Sequence, residues 1–143
     1  ELLLAVCEEP HTGFRITSEA GTRLPLHCSS QGKVILANLP PREAERLLTR
    51  APQTPYTPNT VTDPTVLLAT LATVRRQGYA EELEEYKIGL RSVAAPIYER
   101  NGACRYAIGI IAMAGVDAES VNAMRNAVIE ASAAISAEMG RIG

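Results

Sequence analysis

The side chains best suited to ligand binding or catalysis lie in two segments of the sequence. The first, 24–37, brings a histidine, a cysteine, two serines, a glutamine and a lysine to the start of a predicted helix. The second, 78–96, carries four glutamates and then Ser92 on a predicted buried strand. Hydroxyl, amide and carboxyl groups in this combination can hydrogen bond to a small molecule. We therefore interpret the two segments as walls of a small-molecule pocket rather than as a set of catalytic groups.

Ser30 and Gln31 stand at the predicted N-terminus of this helix. Backbone N–H groups without intrahelical partners favour an anion there, such as a carboxylate. A serine at this position can equally act only as a helix cap, which is the simpler interpretation. Lys33 suggests a phosphate-binding loop, but that motif needs a glycine and a hydroxyl where this chain has His27 and Val34. We reject that motif.

Glu82 belongs to a run of acidic residues, and such runs usually face solvent. If the segment is extended, Glu82 and Glu84 would share one face. Burial would raise the pKa of Glu82, so that its protonated carboxyl could donate a hydrogen bond to a ligand. An ionised Glu82 would instead oppose an anionic ligand. The sequence therefore leaves both a solvent-facing and a ligand-facing role open for Glu82.

Cys28 follows His27 and suggests a thiol nucleophile. Adjacent residues point apart in a strand, however, and no acidic residue is placed to orient the histidine, so we expect a buried structural cysteine. An enzyme that uses Cys28 or Glu82 remains an alternative hypothesis. The chain has five residues of types that can bind zinc: Cys7, His11, His27, Cys28 and Cys104. No C-x-x-C or paired histidine spacing supports a zinc site among them, so we predict no metal and no cofactor.

Length and composition indicate one globular domain. The chain has 143 residues, of which 46% are hydrophobic and 21% charged, which suits a single core. Its net charge of -2 argues against nucleic-acid binding by this segment alone. No apolar run is long enough to span a membrane and no signal peptide is visible. The three cysteines lack paired spacing, which favours the reducing cytoplasm.

The hydrophobic pattern predicts how these side chains are positioned. The predicted order is β-β-α-α-α-β-β-α, an α+β domain with a largely antiparallel sheet. A hairpin around Asn101-Gly102 joins the two long strands, and the proline-rich loop 51–62 is long enough to be a lid or a pocket rim. The remaining predicted elements are strands at 2–7 and 14–17, a turn at 8–13, and helices that begin near Ser29 or Ser30, Pro41, Asp63 and Asp117.

Four motifs occur in order along the chain: Leu24-Pro25-Leu26-His27 with Gly32-Lys33; Tyr56-Thr57-Pro58 with Thr60 and Thr62-Asp63; Gly78-Tyr79-Ala80 with Glu84-Glu85 and Gly89; and Ser92-Val93-Ala94-Ala95-Pro96-Ile97. Together they resemble the effector-binding domain of the IclR family of bacterial transcription regulators. The resemblance covers nearly the whole chain. Each motif alone is weak, whereas four in series are fairly specific.

This resemblance implies a GAF-like α+β domain over residues 1–143 that binds a small metabolite and is not an enzyme. It also implies a winged helix-turn-helix domain on the N-terminal side, through which alone DNA would be bound. The chain starts without Met and enters an apolar run at once, so we expect it to be a fragment of such a regulator. A homodimer or homotetramer is expected, with no membrane partner.

The resemblance also implies an effector pocket built by three regions. The matching residues are Ser30 and Gln31, then Glu82, Leu90 and Ser92, and finally Gly109 and Ile111. Family members that bind small oxo acids have serines at the last two positions. Here Gly109 would open volume and Ile111 would remove a hydrogen-bond donor, so we expect a larger and less polar ligand, with an aromatic ring held mainly by apolar burial.

A third hypothesis, besides a sensor and an enzyme, is an oligomerisation module. In that case the side chains of the domain itself would occlude the pocket. A ligand-induced rise in melting temperature would distinguish a sensor from such a module.

Overall fold

The computed structural model describes residues 2–8 and 20–142, which form two antiparallel sheets and four helices. The smaller sheet pairs β1 (Leu2–Leu3) with β2 (Arg23–Leu24), and the larger has the order β3 (Ala80–Leu83), β4 (Leu90–Tyr98), β5 (Cys104–Met113). The helices are α1 (Ser30–Ala37), α2 (Pro41–Thr49), α3 (Pro64–Gln77) and α4 (Ala118–Ile142). The predicted α+β class with antiparallel pairing is confirmed.

Local capping sets the helix boundaries, as the sequence predicts. Ser29, rather than Ser30, caps α1 by accepting a hydrogen bond from the backbone N–H of Gly32. Asp63 caps α3, and Asp117 precedes α4 and accepts from the N–H of Ser120 at 2.7 Å. Gly78 ends α3 with φ 81, a left-handed conformation that glycine adopts at little cost.

The hairpin between β4 and β5 is confirmed, with a three-residue loop. The backbone N–H of Glu99 donates to the carbonyl of Ala103 at 2.9 Å, and that of Gly102 donates to the carbonyl of Glu99 at 2.9 Å. Gly102 has φ 82. This combination is a turn followed by a glycine bulge, the usual solution for a three-residue hairpin loop.

The larger sheet packs a different layer on each face. On one face Ala94 contacts a core that includes Val34 of α1 and residues of α2 and α3. On the other face Val93 and Ala95 pack against Val128 of α4. Because successive side chains of a strand point to opposite faces, β4 is the shared wall of both layers.

The strands of the structure differ from the predicted strands in three places. The apolar run 2–7 forms a strand only over Leu2–Leu3, and the side chains of Leu3 and Val6 are 62% and 76% exposed. An apolar run shows strand propensity but does not show what would bury it. The short strands β2 and β3 were not predicted as separate elements. Most of the predicted turn 8–13, and the predicted strand 14–17, lie outside the described residues.

The predicted loop 51–62 forms no helix or strand, as expected. Among the described residues, no helix is both long enough and apolar enough to cross a membrane.

Candidate ligand-binding site

The structure brings the seven predicted effector-binding residues to one face of the larger sheet. Glu82, Ser92 and Ile111 are direct cross-strand neighbours on β3, β4 and β5. Leu90 and Gly109 lie two residues away on the same strands and therefore on the same face. The first turn of α1, which carries Ser30 and Gln31, packs on this face. Their role in ligand binding remains a prediction.

A chain of hydrogen bonds connects α1 to the sheet at this point. The hydroxyl oxygens of Ser30 and Ser92 lie 2.7 Å apart, and Ser92 donates to Oε1 of Glu82 at 3.0 Å. Ser30 also lies 3.1 Å from Oε1 of Gln31, to which its hydroxyl can donate. All four side chains are buried. The arrangement is thus a small enclosed polar cluster between a helix and a sheet.

Glu82 is buried rather than solvent-facing, since only 7% of it is exposed. Its Oε2 accepts a hydrogen bond from the backbone N–H of Glu85 at 3.1 Å. Burial raises the pKa of Glu82, and the hydrogen bonds from Glu85 N–H and Ser92 oppose that rise. This carboxyl can therefore take up a proton more readily than an exposed glutamate.

Glu84 does not share the face of Glu82, which corrects the expectation from the sequence. Strand β3 ends at Leu83, and Glu84 adopts φ 55 in the left-handed region. Its Oε1 accepts from the backbone N–H of Gly89 at 2.8 Å. Glu82 and Glu84 would share a face only if the strand continued to residue 84, and the chain leaves the extended conformation at that residue. Glu84 instead stabilises the turn before β4.

Cys28 is a structural residue by its environment. Its side chain is fully buried, and burial, with smaller contributions from the charges of Glu85 and Glu82, raises the pKa of its thiol to about 12. The thiolate needed for nucleophilic attack is therefore strongly disfavoured at neutral pH. Within residues 2–8 and 20–142, no three His, Cys, Asp or Glu side chains are grouped to hold a metal ion.

The sequence argument missed a buried ion pair beside the cluster. Lys33 is 4% exposed, and its Nζ donates to both carboxylate oxygens of Glu85, at 2.8 Å and 2.7 Å, and to the carbonyl of Glu81 at 3.1 Å. A lysine within an apolar helix is a hint of such a pair, but its partner lies 52 residues away along the chain. Only the fold identifies Glu85.

The loop 51–62 is attached to the turn that contains Glu85. The hydroxyls of Thr57 and Thr60 donate to the carbonyls of Glu84 and Glu85, each at 2.6 Å. The ring of Tyr56 also contacts Tyr86, with ring centroids 5.0 Å apart. The loop therefore lies against the turn that follows β3, and its role as a lid or a pocket rim stays a prediction.

Gly109 has a different consequence from the one expected. A Cβ at this position would lie 2.5 Å from Nε2 and 2.9 Å from Cδ of Gln31, far closer than side chains pack. The Gln31 amide thus occupies the volume that Gly109 leaves open. Ile111 offers no hydrogen-bond donor, as predicted, and is 36% exposed beside Ser92.

Comparison with known proteins identifies the family of this domain. Residues 3–137 match the family described as bacterial transcriptional regulator IclR C-terminal. The chain is 36% identical over 130 residues to the HTH-type transcriptional regulator BhcR of Paracoccus denitrificans, covering 90% of this chain and 46% of BhcR. The chain therefore spans about half the length of that relative.

Solved structures show the same fold. The IclR structure of Thermotoga maritima is 31% identical with a TM-score of 0.83, covering 91% of this chain and 53% of that one. A double mutant of the inducer-binding domain of the transcription factor PobR from Acinetobacter, in complex with 3-hydroxybenzoic acid, is 26% identical with a TM-score of 0.73, covering 86% and 75%. These neighbours confirm the predicted GAF-like architecture.

Proposed function

The chain belongs to the family of C-terminal domains of bacterial IclR transcriptional regulators, and from this premise we propose that it is a ligand-sensing domain. In this proposal a small organic molecule binds between α1 and the larger sheet. Binding then changes the DNA affinity of an N-terminal winged helix-turn-helix domain in the full-length regulator. Ser30, Gln31, Glu82, Leu90, Ser92, Gly109 and Ile111 are the proposed effector-binding residues.

The distribution of buried polar groups carries this proposal. Of the eight buried polar or charged side chains in the described part of the chain, seven surround the first turn of α1: His27, Ser29, Ser30, Gln31, Lys33, Glu82 and Ser92. Burying polar groups costs free energy unless each is hydrogen bonded, and an apolar core would be at least as stable. Ser29 caps α1 and Lys33 pairs with Glu85, which are structural roles. The concentration of the other five at one place supports a role in binding.

The proposed ligand is a carboxylic acid with an aromatic or aliphatic body. Hydroxyls of Ser30 and Ser92 can bond its polar end, and protonation of Glu82 would remove the charge that opposes an anion. Ile111 gives the other end an apolar surface directly beside Ser92. The complex of the related PobR domain with 3-hydroxybenzoic acid supports this chemical class and supplies a probe.

Ligand binding can act on DNA affinity only if the ligand prefers one of two arrangements of the regulator. We propose that the regulator is a homodimer or homotetramer, because two-fold symmetric operators are matched by symmetric proteins. A role on DNA also places the regulator in the cytoplasm.

An enzyme acting through Cys28 or Glu82 is the weaker hypothesis. The Cys28 thiol is buried and its pKa is about 12, and the curated relatives are named as transcriptional regulators. Turnover of a bound compound that is lost in Cys28→Ala or Glu82→Gln would reverse this judgement. The oligomerisation module keeps one observation in its favour, since Gln31 fills the space over Gly109.

Thermal unfolding with added acids tests the sensor proposal. We expect 3-hydroxybenzoate or benzoate to raise the melting temperature, since a ligand at a hundred times its Kd adds about 2.7 kcal/mol. Ser92→Val should abolish the rise, whereas the exposed Ser120→Val should retain it. In the full-length regulator the same acid should change operator affinity. No rise with any aromatic or aliphatic acid would favour the occluded module instead.

A further inference from the structure

We propose that the side chain of Gln31 is a gate that sets the size of the ligand the domain accepts. Its amide covers Gly109, and it turns away when a ligand with a planar apolar body binds there. This inference rests on the proposed sensor function and adds a specificity-determining residue to it.

The contact between Gln31 and Gly109 is the first support. Gln31 is 9% exposed, so its amide is enclosed. The separation of 2.5 Å between Nε2 and a Cβ at position 109 means that only glycine permits this placement. The two nearest atoms belong to the far end of a flexible side chain, which can rotate, and the third is the backbone carbonyl oxygen of Val93 at 3.2 Å, which would have to shift only slightly.

The surface beneath the amide is the second support. Gly109 lies directly opposite Ala94 on β4, and Ala94 is fully buried. Ala94 belongs to the core that includes Val34, so Gly109 borders this core, and Ile111 adds an apolar side chain two residues along β5 on the same face. If Gln31 turned away, a flat ring could lie against Gly109 and Ile111 while its carboxylate reached Ser30 and Ser92.

The hydroxyl of Ser30 can link ligand binding to the position of the Gln31 side chain. It has one proton but two oxygen acceptors within reach, Oε1 of Gln31 at 3.1 Å and Oγ of Ser92 at 2.7 Å, and it can donate to only one of them. When Glu82 is protonated, Ser92 can donate to Ser30 and Ser30 to Gln31, and a ligand oxygen that accepts the Ser30 proton then takes away the hydrogen bond to Gln31. Binding at the polar end would thus release the amide from the apolar end.

Calorimetric titration of a double-mutant cycle with two probes, acetate and 3-hydroxybenzoate, tests the gate. We expect Gln31→Ala to bind 3-hydroxybenzoate about tenfold more tightly while acetate affinity changes by less than about twofold. Gly109→Ala should weaken 3-hydroxybenzoate about tenfold in the wild-type background, because its Cβ would push the Gln31 amide into the space that the ring needs. In Gln31→Ala, which has no amide to push, the loss should be less than about twofold. Gly115→Ala is the matched control, since a Cβ there meets nothing within 4 Å.

The outcomes separate the gate from the sensor. If the wild type binds 3-hydroxybenzoate but the two substitutions act additively, or Gln31→Ala gives no gain, the gate is wrong and the sensor stands. If neither acid binds any of these proteins, both proposals fall. The side-chain amide resonances of Gln31 give a second readout that does not need the Gly109 variant to fold: they should move on addition of 3-hydroxybenzoate, and unchanged resonances at saturation would contradict the gate.

Discussion

Glu82 determines how protons are arranged in the polar cluster. When Glu82 is ionised, Ser92 donates to it, and Ser30 can then donate to Ser92. When Glu82 is protonated, its carboxyl can donate to Ser92, Ser92 to Ser30, and Ser30 to Gln31. The 2.7 Å and 3.0 Å separations allow either direction, so the protonation of one buried carboxyl decides which oxygen receives the hydrogen bond of Ser30.

The first prediction concerns the pH dependence of stability. Because burial raises the pKa of Glu82 in the folded state, its contribution to stability is present below the ordinary glutamate pKa and is lost as pH rises through the raised value. Glu82→Gln removes this titration. Its amide oxygen can still accept from the N–H of Glu85, and its NH2 group can donate to Ser92 as a protonated carboxyl would. We expect the free energy of unfolding of Glu82→Gln relative to wild type to increase between pH 4 and 8.

Urea unfolding at several pH values measures this difference. Glu130→Gln, at an exposed position of α4, is the matched control. A difference between Glu82→Gln and wild type that does not change with pH would mean that Glu82 titrates alike in the folded and unfolded states.

The second prediction concerns the thiols. Cys7 is exposed, whereas Cys28 and Cys104 are buried, and burial raises the pKa of both buried thiols. We therefore expect a disulfide reagent at pH 8 to modify Cys7 rapidly in the native protein and the other two only after unfolding. Mass spectrometry of the modified chain would show this order, with Cys7→Ser as the control. Rapid native modification of Cys28 would revive the nucleophile hypothesis.

At the scale of elements, the turn after β3 joins the sheet, α1 and the 51–62 loop. Glu85 lies at the centre of this junction. Its N–H bonds Glu82, its carbonyl accepts from Thr60, and its carboxylate pairs with Lys33. Glu85 is therefore the single residue that connects Glu82 to the loop by hydrogen bonds.

The third prediction is that the Lys33–Glu85 pair is a strong structural link. The two side chains are 5% and 13% exposed, so removing one partner leaves a nearly buried charge. Lys33→Met should lower the free energy of unfolding by about 3–5 kcal/mol, and the double variant Lys33→Met with Glu85→Gln should recover part of that loss.

Chemical denaturation of the single and double variants measures the coupling. The ion pair between Arg141 and Glu138, 76% and 60% exposed, is the control, and Arg141→Met should change stability by less than about 0.5 kcal/mol. Equal effects of the buried and the surface substitutions would show that solvent reaches Lys33 freely.

At the scale of the whole molecule, the two faces of the larger sheet have different tasks. The face toward α1 carries the polar cluster, and the face toward α4 is an apolar contact between β4 and the long helix. Arg125 of α4 pairs with Glu81 at 2.7 Å. Glu81 is the neighbour of Glu82 on β3, and its side chain lies on the opposite face of the sheet. The polar cluster and the contact with α4 are therefore separated by the sheet, so a change at one need not disturb the other.

The fourth prediction tests this division. Val128 is 1% exposed, whereas its neighbour Ile129 is 40% exposed. Val128→Ala should lower the free energy of unfolding by about 1–3 kcal/mol, because a buried cavity forms. Ile129→Ala should change it by less than about 0.5 kcal/mol. Urea denaturation distinguishes them, and both variants should keep the ligand response. Equal losses would place α4 differently on the sheet.

The parts of this protein that local chemistry dictates were predictable from its sequence. Ser29, Asp63 and Asp117 start helices and Gly78 and Gly102 shape a helix end and a hairpin, because capping and positive φ depend on residues only a few positions apart. The prediction of a buried strand over residues 2–7 was wrong, because burial is not a local property. Its burial depends on what packs against it, which periodicity does not contain.

The site was predictable only as a set of positions implied by family resemblance. Which of its side chains form hydrogen bonds and ion pairs with one another was decided by the tertiary structure. Ser30 meets Ser92 across 62 residues and Lys33 meets Glu85 across 52, and neither pairing has a local signal. Gly109 shows the difference most clearly. Its missing side chain is visible in the sequence, but whether that volume is open or filled depends on Gln31, which folding alone brings to it.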